Sequence, residues 1–164
     1  RLQQDTTTKQ WVASATMQYI HTGIFDWRTT RYLTYARIFV PKGAVLQRVL
    51  TTHGGEKQTV VDIADVAVGE ELGKQWFGVY YALEPKITGT LTFEYVLPPK
   101  SVTRPYRLFV QKQLGTEAHE LTLDLQFDTK IQTATPAETK EKRGDARYQF
   151  GTDLLLNREI QVGF

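Results

Sequence analysis

Histidine is the side chain best suited to acid–base work near neutral pH, and this chain has three: His21, His53 and His119. All fall at predicted strand ends or turns, without the HxH or HExxH spacing that brings two imidazoles to one metal. Exposed loop positions account for them more simply than catalysis does. Carboxylates offer a second chemistry. Asp62 with Asp65, and Glu70 with Glu71, are close pairs of the kind a glycosidase sets across its substrate. Asp62, Asp65 and Glu70 could also lend oxygens to a hard cation. The segment lacks the DxDxDG spacing of a calcium loop, and acidic residues beside a turn also serve solvation and backbone capping. A hydrolase and a metal site at these residues are therefore minor alternatives.

Other reactive groups are scarce. Ser14 and Ser101 are the only serines, and neither lies in GxSxG. No GxGxxG or GxxxxGKS loop cradles a phosphate. The absence of cysteine removes disulfides, thiolate metal sites and cysteine nucleophiles together. Lys140, Lys142, Arg143 and Arg147 cluster, but Glu138, Glu141 and Asp145 interleave with them. With 20 basic against 18 acidic residues the net charge is only +2, which predicts no nucleic-acid footprint. The residues suggest neither a cofactor nor an enzyme.

Aromatic side chains remain as contact candidates. Trp11, Trp27, Trp76, Tyr80 and Tyr81 could form a flat platform that stacks on sugar rings, although filling a core is the commoner use of such residues. Trp27 stands out because FDWRTTR places it in a polar turn where packing demands little. Trp27, Trp76, Tyr80 and Tyr81 are thus the ligand-contact candidates, and the partner they suggest is a cell-surface glycan or protein.

The elements that must position these residues are strands. Past Pro85, Ile87, Gly89, Leu91, Phe93, Tyr95 and Leu97 share one face of an extended chain, while Lys86, Thr88, Thr90, Thr92 and Glu94 share the other. Similar segments are Trp11 to His21, Tyr32 to Val40, Val45 to Thr51, Lys74 to Leu83, Tyr106 to Gln113, Glu120 to Phe127, Tyr148 to Leu156 and Arg158 to Phe164. Gln58 to Val68 alternates less cleanly, as a bulged strand or two short ones, and Asp62 to Leu72 has room for a helical turn or two. Lys74 to Leu83 is almost continuously apolar, as in a central strand touching protein on both faces or a surface aromatic patch. Thr133 to Arg147 reads as a solvated loop or tongue. Thr22 to Arg31 reads as a turn.

Eight to ten short strands punctuated by Gly and Pro predict an all-β, immunoglobulin-like or Greek-key antiparallel sandwich. The 164 residues, 41% hydrophobic and 23% charged, fit a single domain over 1–164. No apolar run reaches the ~18 residues of a membrane span. The polar opening RLQQDTTTKQ, without Met or signal peptide, suggests a domain cut from a longer protein.

The stretches YARIFVPKGAVL, GKQWFGVYYALEP, LTFEYVLP and YRLFVQKQLGT carry a family resemblance. So do the ends at Thr152-Asp153-Leu154 and Asn157-Arg158-Glu159. The chain resembles, from about Val12 to Val162, the C-terminal region of a bacterial surface-protein family, domain of unknown function four thousand and twelve. That family is common in candidate-phylum bacteria. Its pattern has a VPKG turn (Val40-Pro41-Lys42-Gly43 here), a YxLP strand end (Tyr95-Val96-Leu97-Pro98) and QKQxGT (Gln111 to Thr116). The resemblance implies a membrane-anchored protein whose bulk lies outside the cytoplasm, with this chain as its exported module. It implies no active site. Read from the residues alone, QKQLGT is a structural motif, with a ligand contact as the alternative: Gln111 and Gln113 share one strand face and satisfy backbone groups at a sandwich corner, and Leu114-Gly115-Thr116 turns the chain. The combined expectation is a non-catalytic structural or adhesive module, with carbohydrate binding as the alternative.

Overall fold

The computed structural model describes residues 1–164. Its regular structure is almost entirely extended: β1 (Leu2–Gln4), β2 (Trp11–Ile20), β3 (Tyr32–Val40), β4 (Val45–His53), β5 (Thr59–Val61), β6 (Ala67–Glu71), β7 (Lys74–Leu83), β8 (Thr88–Val96), β9 (Tyr106–Val110), β10 (Glu120–Gln126), β11 (Thr133–Thr135), β12 (Arg147–Asp153) and β13 (Arg158–Gly163). No helix is long and apolar enough to cross a membrane. The chain divides into two compact units, one formed by Ala13–Pro98 and the other by Arg1–Val12 with Pro99–Phe164.

The 13–98 unit is an antiparallel β-sandwich. One sheet has the order β2-β8-β4-β5 and the other β3-β7-β6. Its core draws on both: Ala36, Val40, Phe77, Val79, Tyr81 and Leu83 from one sheet meet Val49, Leu91 and Phe93 from the other. The neighbours β3-β7-β6 and β8-β4-β5 match the B-E-D and F-C-C′ neighbours of an immunoglobulin domain. β2 departs from that scheme. The first strand of an immunoglobulin domain flanks the second, whereas β2 flanks β8 and leaves β3 at the edge of its sheet.

Alternation places the core. In β8, Gly89, Leu91 and Phe93 point inward and are buried. The opposite face is exposed at Lys86 and Thr88, as alternation implies, half-buried at Thr90 and Glu94, and closed at its middle. Thr92 is only 7% exposed, because β8 is an inner strand with β2 on one side and β4 on the other. Hydroxyl pairs lie across it, Thr16 with Thr92 at 2.9 Å and Thr52 with Thr90 at 2.8 Å. Gly89 marks a close approach: a Cβ there would collide with the Tyr81 hydroxyl and the Thr52 carbonyl.

The second unit sets β12-β10-β1 and β11-β13-β9 as its strand groups. Leu123, Leu125, Phe127, Tyr148, Ile160 and Val162 are buried in it. Phe127 stacks on Phe164 at 4.1 Å and lies 5.8 Å from Tyr106 and 6.1 Å from Trp11. β1 joins β10 in parallel at Leu2 and Leu125, in a segment whose polar residues conceal a strand. The Thr133 to Arg147 stretch is mostly exposed, as a solvated loop is, but it is anchored to the fold. β11 pairs with β13, Glu138 is 6% exposed, and its carboxylate accepts the Gln149 backbone N–H at 2.9 Å. Tyr148 donates to the Pro136 carbonyl at 2.9 Å. Burial, reinforced by the nearby Glu138 charge, pushes its phenol up to about 12.

Candidate functional site

The outward face of β3-β7-β6 carries the densest exposed aromatic group within one unit. Antiparallel register sets Leu33 opposite Ala82, Tyr35 opposite Tyr80, Arg37 opposite Gly78, and Phe39 opposite Trp76. Successive residues of a strand alternate between faces, so these four pairs share one surface while Ala36, Val40, Phe77 and Val79 face the core. Tyr35 and Tyr80 rings meet at 4.8 Å and 51°. Tyr80 is 81% exposed. The Arg37 guanidinium lies 5.4 Å from the Trp76 ring and 5.6 Å from Phe39, and it is held by Glu71 at 3.1 Å.

Glycine makes the surface flat. A Cβ at Gly69 would strike the Trp76 indole, and one at Gly78 would strike the Tyr35 hydroxyl end and the edge of Trp76. The two rings therefore lie down along the sheet over glycine backbone rather than standing up from it. Aromatic rings, a cation and a carboxylate on one sheet face can stack on a sugar ring and hydrogen-bond its hydroxyls, or cover an apolar patch on a protein.

Tyr81 leaves the candidate set. It is 3% exposed, donates to the Thr52 carbonyl at 2.8 Å, and has its phenol raised by burial. Its neighbour Tyr80 points the opposite way, as strand geometry requires. Trp76 sits half-buried on the outer face, not in the middle of the sandwich. Trp27 is 88% exposed in the loop between β2 and β3, where its ring meets the Arg28 guanidinium at 4.9 Å. That loop is ordered by Asp26, whose carboxylate accepts the backbone N–H of Arg28 at 2.8 Å and of Thr29 at 2.6 Å. Those bonds hold the acid below the ordinary carboxylate range.

The acidic candidates do not converge, and no group of three possible ligands is placed to hold a metal ion. Asp62 caps the 3-10 turn Ile63–Asp65 by accepting the Ala64 N–H at 3.0 Å, and Glu70 pairs with Lys42 at 2.5 Å. The histidines are dispersed as well. His21 Nε2 lies 2.9 Å from the Thr30 carbonyl, and His53 Nε2 lies 3.0 Å from that of Ala82 while its ring stacks on Tyr81 at 5.1 Å. His119 is exposed.

QKQLGT is a structural motif, but its residues play other parts than alternation assigns. β9 ends at Val110, so Gln111 and Gln113 share no strand face, and both are exposed. The bonding group is Lys112. Its ammonium donates to the carbonyls of Gln113 at 3.1 Å and Thr116 at 2.6 Å, and its backbone N–H donates to Asn157 Oδ1 at 2.9 Å. Gly115 takes a left-handed φ of 77° in the turn.

Sequence reasoning passed over Tyr35, Arg37 and Phe39. The signal was present in YLTYARIFV: Thr34, Ala36, Ile38 and Val40 form one phase, while Leu33, Tyr35, Arg37 and Phe39 form the other. An arginine in the aromatic phase marks that phase as the solvent face. No protein-family model matches the chain, and no curated protein matches it.

Proposed function

We propose that this chain is a non-catalytic adhesive module of a bacterial cell-surface protein, and that the outer face of β3-β7-β6 is its contact surface. One observation carries the reading: Tyr35, Tyr80, Phe39 and Trp76 share one sheet face around an Arg37–Glu71 pair, with Trp76 and Tyr35 lying close over Gly69 and Gly78. A sandwich with no reason to bind would dress this face with scattered polar residues. The non-catalytic part of the proposal comes from the sequence, in which the histidines and Asp62, Asp65 and Glu70 carry no catalytic spacing. Location outside the cytoplasm, and membership of the surface-protein family, rest on the VPKG, YxLP and QKQxGT resemblance.

A glycan is the second reading, favoured by the Tyr35–Tyr80 pair beside a charged pair able to reach ring hydroxyls. Binding to isolated cell walls and to immobilised glycans tests both. Tyr80→Ala removes the most exposed ring of this face without touching the core, and is expected to weaken binding at least tenfold, about 1.4 kcal/mol, with the thermal midpoint unchanged within about 2 °C. Retention of full binding by Tyr80→Ala and Trp76→Ala together would discard the aromatic face. Binding to a protein but to no glycan would keep the face and remove the sugar.

A further inference from the structure

β3 is a long strand with one side left open. It ends its sheet, pairs with β7 over all nine residues from Tyr32 to Val40 without a register shift, and contains no Pro, Gly or Lys. An edge of this kind offers a row of unpaired N–H and C=O groups to any other strand, and natural proteins ordinarily blunt it by shortness, charge, Pro or a bulge. Five other edge strands follow that practice. β5 and β11 have three residues each, β6 carries Gly69, Glu70 and Glu71 in five residues, β9 has five residues with Arg107 among them, and β12 begins at Arg147 and ends at Asp153. β3 has one charged residue, Arg37, in nine.

We propose that β3 is a homodimer interface, at which the β3 edges of two copies join antiparallel about a two-fold axis at Ala36 and merge their three-stranded sheets into one of six. Self-complementarity selects a second copy as the occupant. Pairing centred on Ala36 overlaps the full strand, setting Tyr32 opposite Val40, Leu33 opposite Phe39, Thr34 opposite Ile38 and Tyr35 opposite Arg37. Core-facing residues meet core-facing residues, and outward ones meet outward ones, as the two-residue period demands. Both arginines face tyrosines, so each copy donates a cation to the other's ring, twice by symmetry. Centring on Arg37 would oppose the two like charges. Centring on Tyr35 would set Leu33 against Arg37 and leave the strand ends unpaired. The Ala36 register also joins the aromatic faces of both copies into one continuous surface, although dimerisation does not depend on what that surface binds.

Sedimentation velocity over about 1 to 300 μM, the concentration range of a modest interface, reads the result directly. The full chain is expected to pass from 18.8 kDa to twice that mass. Tyr35→Arg would place like charges opposite each other at two positions and should weaken the dimer at least tenfold. Tyr35→Glu places opposite charges there and should hold or tighten it, though both variants lose the same tyrosine ring. Leu33→Lys adds an edge charge and should also dissociate the dimer. Far-UV circular dichroism confirms that each variant is folded. A chain that stays monomeric throughout the range would overturn the proposal. So would a dimer that responds equally to Tyr35→Arg and Tyr35→Glu, since that outcome requires another contact.

Discussion

Tyr80 and Tyr81 are adjacent in the chain and opposite in role, one on the aromatic face and one bonded into the core. Asp124 shows the same dependence on placement in electrostatic form. Two hydrogen bonds from Arg147, at 2.6 and 2.9 Å, hold its carboxyl below the ordinary range against the opposing effect of burial, with the Arg147 and Arg1 charges adding to the depression. A carboxyl whose folded pKa is depressed stabilises the fold above the unfolded pKa, about 3.9, and loses that contribution as pH falls through the folded value. Because Arg147 is about half exposed, solvent screening limits the effect to about 1 kcal/mol or less. Asp124→Asn is therefore expected to lower the urea midpoint at pH 7, and its deficit should close as pH drops below about 4. A deficit constant down to pH 2 would mean that charge is not its cause.

At the scale of elements, the turn after β9 separates what a motif looks like from what it does. Lys112→Met removes two donors to carbonyls and should destabilise by about 1–2 kcal/mol, while Gln111→Ala and Gln113→Ala should stay within about 0.5 kcal/mol of the parent in chemical denaturation. Equal losses from Lys112 and the glutamines would restore the sequence-based reading. β3, β7 and β10 are legible in sequence nearly to the residue, because β10 alternates, β3 and β7 are runs of β-branched and aromatic residues, and each is bounded by Pro, Gly or polar turns. β1 is not, because three residues with two glutamines carry no period, and its pairing with Leu125 is a tertiary event. The 133–147 stretch is legible only in part for a related reason. Its composition is that of a solvated loop, but the buried Glu138 spends its charge on a backbone N–H, a bond no local pattern announces.

For the molecule as a whole, the core of the 13–98 unit is complete in itself, with every cluster member lying between Met17 and Tyr95. A fragment of residues 13–98 is expected to keep a β-type circular dichroism spectrum and to unfold cooperatively in urea; a random-coil spectrum would show that this core needs the rest of the chain. Local chemistry alone determined that the protein is an all-β sandwich, since side-chain alternation and Pro/Gly punctuation act over a few residues and need no distant partner. It also determined which strands carry aromatic residues. Only the tertiary structure decided that the Trp76 and Tyr80 phase of β7 shares the face that Arg37 marks on β3, that Trp76 lies over glycines of two strands, and that β2 flanks β8 and leaves β3 open. Those outcomes depend on which strands become neighbours, and pairing between segments tens of residues apart is a property of the folded sheet.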